Sequence, residues 1–160
     1  MRSRVLTNYT DSTFLNCLKE YLRTCESFKF TVSFIKKAGL ILLWNDLTSA
    51  IERGAKGELI TSTYQNFTDI ESLKLFHLLA TEHSNFTVHL DDECFWDEKN
   101  FEVNGFHSKG YIFSFPDKRT EVIIGSSNIT RFALLKNVEW DLVVTGDRES
   151  SAYTEAMKEF

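Results

Sequence analysis

Three short stretches of this 160-residue chain hold side chains suited to an anionic ester: Gly105-Phe-His107-Ser-Lys109, Ile124-Gly125-Ser126-Ser-Asn128 and Asn137-Val-Glu139-Trp140. In a strand, residues two apart share a face, so His107 and Lys109 project the same way. An imidazole can attack an electrophilic centre, and an ammonium beside it can hold charge that develops on oxygen. Gly125 lets the backbone approach closely, while Ser126 and Asn128, again two apart, offer neutral donors. Glu139 on a neighbouring strand could hold the far ring nitrogen of His107, as carboxylates orient the histidines of hydrolytic triads. Each residue alone is commonplace, since a lone strand histidine is mostly structural and a lone lysine mostly solvated. Their order along the chain carries the reading.

These residues resemble the phospholipase D superfamily, whose signature is H-x-K, then x4-D, then G-S-x-N. His107-Ser-Lys109 and Gly125-Ser126-Ser-Asn128 match both fixed parts. The family aspartate falls at Ser114, and Asp117 lies at the wrong spacing to replace it. In the nuclease branch, which has members without that aspartate, an acidic residue follows the asparagine at about the spacing of Glu139. Ser33-Phe-Ile-Lys-Lys-Ala-Gly39-Leu, Leu59-Ile-Thr-Ser-Thr-Tyr64 and Gly125-Ser-Ser-Asn-Ile-Thr130 look like the nuclease domains at the N-termini of bacterial superfamily II helicase and restriction-type proteins. The likeness covers roughly residues 5 to 160.

The resemblance implies a metal-independent nuclease without a cofactor. His107 would form a covalent phosphohistidine, and a second histidine would protonate the leaving oxygen and then activate water. Lys109 and Asn128 would hold non-bridging oxygens, Ser126 would help place the phosphate, and Glu139 would fix the tautomer of His107. The chain has one H-x-K where this chemistry uses two, so the expectation is a homodimer with one composite site. Nucleic acid, DNA before RNA, is the expected substrate, with a fused helicase supplying most of the affinity.

The elements that must position these residues are legible in part. Helical spacing runs from Asp11 to Glu26, with Asp11 or Ser12 as cap, and from Ala38 to Arg53, closed by Gly54. Lys29–Ile35, Glu58–Tyr64 and Phe86–Leu90 read as strands. Thr68-Asp-Ile-Glu71 reads as a capping box opening a helix through Leu79. Asp91 to Asn100 reads as an acidic loop, and Phe106–Phe115 and Glu121–Ser126 as strands joined by a turn at Pro116–Arg119. Glu139–Thr145 reads as another strand and Ser150–Phe160 as a helix that stops on an apolar residue, as in a fragment of a longer protein. Helices alternating with strands, then strands paired through a turn, predict an α/β fold: a mixed sheet flanked by helices, an α-β-α sandwich in one domain.

Composition narrows the function classes. With 42% hydrophobic and 26% charged residues the chain can bury a core, and its longest apolar run, Ala38 to Trp44, is far short of the roughly 20 residues of a membrane span. Eighteen Lys and Arg against 23 Asp and Glu give a net charge of −5, which excludes a generally basic module but not a local basic site. Cys17 and Cys25 lie about 12 Å apart on one predicted helix, too far for a disulfide, and with Cys94 alone a reduced, cytoplasmic protein is expected. No zinc spacing is present, and Asp91-Asp92-Glu93 reads as a solvated loop. His77 reads as core, His83 and His89 as surface. Lys36, Lys37, Arg53, Lys56, Lys118, Arg119, Arg131 and Lys136 are the cations available to nucleic acid, Arg131 and Lys136 foremost because they flank the motif. Trp96 could stack a base, whereas Trp44 and Trp140 read as core. Two rivals stand beside the nuclease: a phospholipid-processing enzyme, which needs lipid access, and a retired site that now binds DNA or dimerises.

Overall fold

The computed structural model describes residues 2–9, 12–91 and 105–160. The acidic loop after Asp91, Cys94 and Trp96 therefore lie outside the described residues, as does Asp11. The elements are β1 (Arg2–Leu6), α1 (Phe14–Thr24), β2 (Ser27–Val32), α2 (Lys37–Glu52), β3 (Lys56–Ser62), α3 (Ile70–Glu82), β4 (Phe86–Asp91), β5 (Lys109–Ser114), β6 (Arg119–Gly125), α4 (Arg131–Leu135), β7 (Asp141–Asp147) and α5 (Ser151–Glu159). A single 3-10 turn at Tyr64–Asn66 precedes α3.

The strands form one seven-stranded sheet in the order β1-β7-β6-β5-β2-β3-β4. β2, β3 and β4 run parallel, linked through α2 and α3, while every other pairing is antiparallel. This is the expected mixed sheet between helices. No expected strand corresponds to β1, which adds an edge to β7 with Arg2 to Val5 exposed.

Alternation along the strands sends Phe28, Phe30, Tyr111, Phe113, Ile123 and Val143 to the face covered by α1 and α2. There Phe14 meets Tyr111 edge-on at 5.0 Å and Tyr21 meets Phe113 at 5.2 Å, geometries in which the ring quadrupoles attract. The opposite face carries α5, which closes a cavity of about 550 Å³ lined by Thr31, Gly110, Ile112, Val122, Ile124 and Ala156 and reaching His107.

Two caps differ from expectation. Thr13, not Ser12, caps α1, its hydroxyl accepting from the Asn16 N–H. Asp69 caps α3 by accepting from Ser72 N–H, which leaves Thr68 free to brace the end of β2. The buried Thr68 hydroxyl donates to Ser33 O at 3.0 Å and accepts from Ile35 N–H. His77 is exposed, because α3 buries only Ser72, Phe76 and Leu79. Cys17 and Cys25 are free and buried. No helix among the described residues is long and apolar enough to cross a membrane.

Candidate active site

One edge of the sheet gathers the end of β2, the start of β5, the end of β6 and the start of β7. The antiparallel pairing of β5 with β2 and β6, and of β6 with β7, forces this: Val32 sits opposite Lys109, Gly110 opposite Ile124, and Gly125 opposite Asp141. Each motif residue lies at or just beyond one of these ends. β5 begins at Lys109 rather than Phe106, so His107 precedes the strand instead of lying within it. The segment is held by Ser33, whose N–H and Oγ both donate to Ser108 O, at 3.0 and 2.9 Å.

His107 and Lys109 are together as the spacing implied. Lys109 Nζ is 2.9 Å from His107 Nδ1 and 2.9 Å from the His107 carbonyl oxygen. Lys109 is only 8% exposed, and burial draws its ammonium below the usual lysine range while the charge of Glu139 acts the other way. Such a cation is poorly hydrated and poised to meet an incoming anion.

Asn128 is oriented from the segment just after β2. Its Oδ1 accepts from Phe34 N–H at 3.1 Å, so the amide keeps its NH₂ end for another partner. Phe34 also places its ring 5.4 Å from the His107 ring, edge to face, and so touches both motif residues. α2 seats the same loop from behind: a Cβ on Gly39 would fall 2.5 Å from Thr130 Cα, so only glycine allows this approach.

Beneath the loop lies a buried polar network that the sequence reading missed. Ser127 donates from Oγ to Asp141 Oδ2 at 2.6 Å and from N–H to Oδ1 at 3.2 Å, and Tyr111 donates to Ser127 O at 2.7 Å. Burial raises the Asp141 carboxyl against the pull of the Ser127 donors, and pushes the Tyr111 phenol well above its ordinary value. Gly125 is obligatory here, since a Cβ would lie 2.1 Å from Asp141 Oδ1.

Glu139 departs from its expected role. Its carboxylate accepts from Ser126 Oγ and, at 3.0 Å, from Asn137 Nδ2. Asn137 is in turn pinned by Asn8, which donates to Asn137 O and Ala133 O. Within the chain it is Lys109 that meets the His107 ring, at Nδ1.

Arg131 and Lys136 are exposed at the two ends of α4, whose cap Thr130 follows closely on Asn128. Other cations have different duties. Arg53 binds Leu22 O and Cys25 O, Lys37 pairs with Glu71, and Arg119 pairs with Glu121 over the Phe115 ring. Lys56, Lys118 and Arg119 belong to the opposite edge of the sheet. Ser114 lies there too, opposite Ser27 at the start of β2, roughly 17 Å from Lys109 by strand rise. It bonds Tyr153 OH at 3.1 Å and holds α5, so the missing aspartate is remote from the histidine. Trp140 is 70% exposed rather than core, and Trp44 is half-buried against Phe76. Among the described residues no cluster of His, Cys, Asp and Glu could hold a metal ion.

Residues 19–160 match the family model described as cardiolipin synthase, PLD-like domain. The fold is shared with NucT from Helicobacter pylori, at 18% identity and a TM-score of 0.72 over 99% of this chain and 92% of that one. It is shared also with Nuc from Salmonella typhimurium, a phospholipase D family member, at 19% identity and 0.65 over 99% and 90%. Phosphatidylserine synthase from Haemophilus influenzae is similar at 14% identity and 0.67, over 98% of this chain but 37% of the enzyme. No curated protein matches in sequence.

Proposed function

The chain belongs to the PLD-like domain family, and from that premise we propose that it is a metal-independent phosphodiesterase that cleaves nucleic acid through a phosphohistidine. The observation that carries this reading is the convergence of His107, Lys109 and Asn128 at one sheet edge, with Lys109 Nζ 2.9 Å from His107 Nδ1 and Phe34 bonded to Asn128. Nδ1 faces Lys109, so Nε2 is the nitrogen that meets phosphorus. Nε2 forms the P–N bond as the P–O bond to the leaving group breaks. A second imidazole gives that oxygen its proton, then takes one from water as the water displaces His107 from phosphorus. Lys109 and the Asn128 NH₂ hold the non-bridging oxygens, and Ser126 helps position them.

The second imidazole comes from a second copy of the chain. Phe132, Val138, Trp140 and Leu142 are exposed beside Glu139, with Val138 at 74%, and such an apolar patch next to a site suits a two-fold interface. Across that axis Glu139 serves the second copy's imidazole instead of its own. Arg131 and Lys136 flank the path of the nucleic acid, and a fused helicase or restriction module supplies the remaining affinity.

The test is cleavage of labelled DNA in EDTA by this chain and by His107→Ala. Cleavage by the unmodified chain alone supports the reading. No cleavage by either, with DNA still bound, favours a binding module. Release of headgroup from phosphatidylglycerol vesicles without DNA cleavage favours the lipid enzyme.

A further inference from the structure

Beside His107 stands a group of aromatic rings that the phosphate chemistry leaves unused. The Phe34 ring, which meets His107 edge-on, lies 4.8 Å from Phe67 and near-parallel to Tyr64 at 6.4 Å and 10°. Lys109 Nζ is 5.5 Å from the Phe34 centroid, so the rings and the buried cation share one wall. None of the three belongs to the core: Phe34 and Tyr64 are half-buried, and Phe67 is 46% exposed.

The backbone spends unusual conformations on this arrangement. Gln65 and Asn66 are consecutive non-glycine residues with φ of 53° and 56°, and the turn they make brings Tyr64 and Phe67 to Phe34. The chain leading into His107 is fitted to the same rings. A Cβ on Gly105 would fall 2.7 Å from Tyr64 Cζ, so the segment runs directly over the phenol.

We propose that Phe34, Tyr64 and Phe67 form a stacking platform for the nucleobase next to the scissile phosphate, and that this platform makes unpaired strands the preferred substrate. The proposal rests on the nuclease reading and adds the strand preference to it. Stacking needs an open π-face, which a duplex base lends to its neighbours and a single-stranded base does not. It tolerates any sequence, because every base has such a face. It also supplies affinity independent of phosphate contacts, which suits a chain of net charge −5.

The test uses end-labelled trithymidylate and its analogue with base-free tetrahydrofuran residues. Binding is read by anisotropy with His107→Ala, and cleavage with the unmodified chain. The base-bearing strand should be favoured by roughly tenfold in Kd and KM. Phe67→Ala should abolish that preference, the base-bearing strand losing about tenfold more than the base-free analogue. Phe67→Leu, which keeps an apolar contact with Phe34, should behave the same way and controls for folding. Cleavage of a single strand over its duplex should fall in both variants. Equal handling of the two trinucleotides, or equal losses on both in Phe67→Ala, would overturn the platform and leave the nuclease standing. A Phe67-dependent preference in binding with no cleavage would remove the nuclease and keep the platform.

Discussion

Lys109 Nζ lies 2.9 Å from His107 Nδ1 while donating to the same residue's carbonyl oxygen. In the proposed reaction Nε2 must be bare to attack, so the ring proton belongs on Nδ1, where an ammonium offers no acceptor. That reaction calls for an acceptor on Nδ1, and this chain's Glu139 is already engaged by Ser126 and Asn137. A second copy's Glu139 would supply it.

Activity per chain should therefore rise with protein concentration across the range in which monomers associate. Trp140→Glu, which puts a charge into the exposed apolar patch, should shift that range upward at least tenfold without lowering thermal stability, since Trp140 packs little in the single chain. Sedimentation run beside the assay checks this. Full specific activity from a species that sediments as a monomer would defeat the composite site.

Lys109→Met should separate stability from activity. Burial lowers the Lys109 value in the folded chain, so its charged form costs stability below that value. The cost disappears as pH rises toward the unfolded lysine value of about 10.4. The variant should thus melt no lower than the unmodified protein at pH 7, with the comparison moving in favour of the unmodified protein as pH climbs toward 10. Its cleavage rate should drop about 10² to 10³-fold, the usual loss of one preorganised oxyanion donor. A variant that melts lower at pH 7 and keeps its activity would reverse the assignment.

The motif residues were legible because each signature is a few residues long and local in the chain. Their partners were not. Phe34 reaches His107 and Asn128 only because β5 pairs with both β2 and β6, and Asp141 meets Ser127 only because β7 pairs with β6. Neither relation has a sequence spacing. His77 and Trp140 read as core because apolar neighbours suggest burial, but periodicity finds a face without saying what covers it. Leu78 beside His77 is exposed too, which shows how little of α3 the sheet needs. Thr68 fitted a capping box on residue types alone, whereas the end of β2 required its hydroxyl more.

Asp141→Ala should destabilise the fold by about 3 kcal/mol, since it leaves the buried Ser127 N–H and Oγ without acceptors. Activity should fall with it, because the same loop carries Ser126 and Asn128. Asp141→Asn keeps one acceptor and should cost less. Burial raises the Asp141 value above that of the unfolded chain, so proton uptake favours the fold and contributes stability that is fully present below the ordinary aspartate range and lost as pH rises through the raised value. The unmodified protein should therefore gain on Asp141→Asn as pH falls through the raised folded value. Denaturant melts at pH 4 and pH 7 measure this, and an Asp141→Ala protein as stable as the original would show the network to be dispensable.

Two imidazoles that share one site must hold opposite protonation states, one bare to attack and one charged to protonate the leaving oxygen. The rate should thus trace a bell against pH, falling on the acid side as the nucleophile gains a proton and on the alkaline side as the acid loses one. Mixing gives a sharper check. When unmodified and His107→Ala chains are dissociated and reassociated in equal amounts, about a quarter of the dimers carry both histidines. A composite site leaves about a quarter of the activity of the undiluted protein at the same total concentration, whereas two independent sites leave about half. Sedimentation of the mixture confirms that exchange is complete. A value of one half, or a rate that rises steadily across the whole pH range, would place both histidine roles within a single chain and require a second acid that His107 alone does not provide.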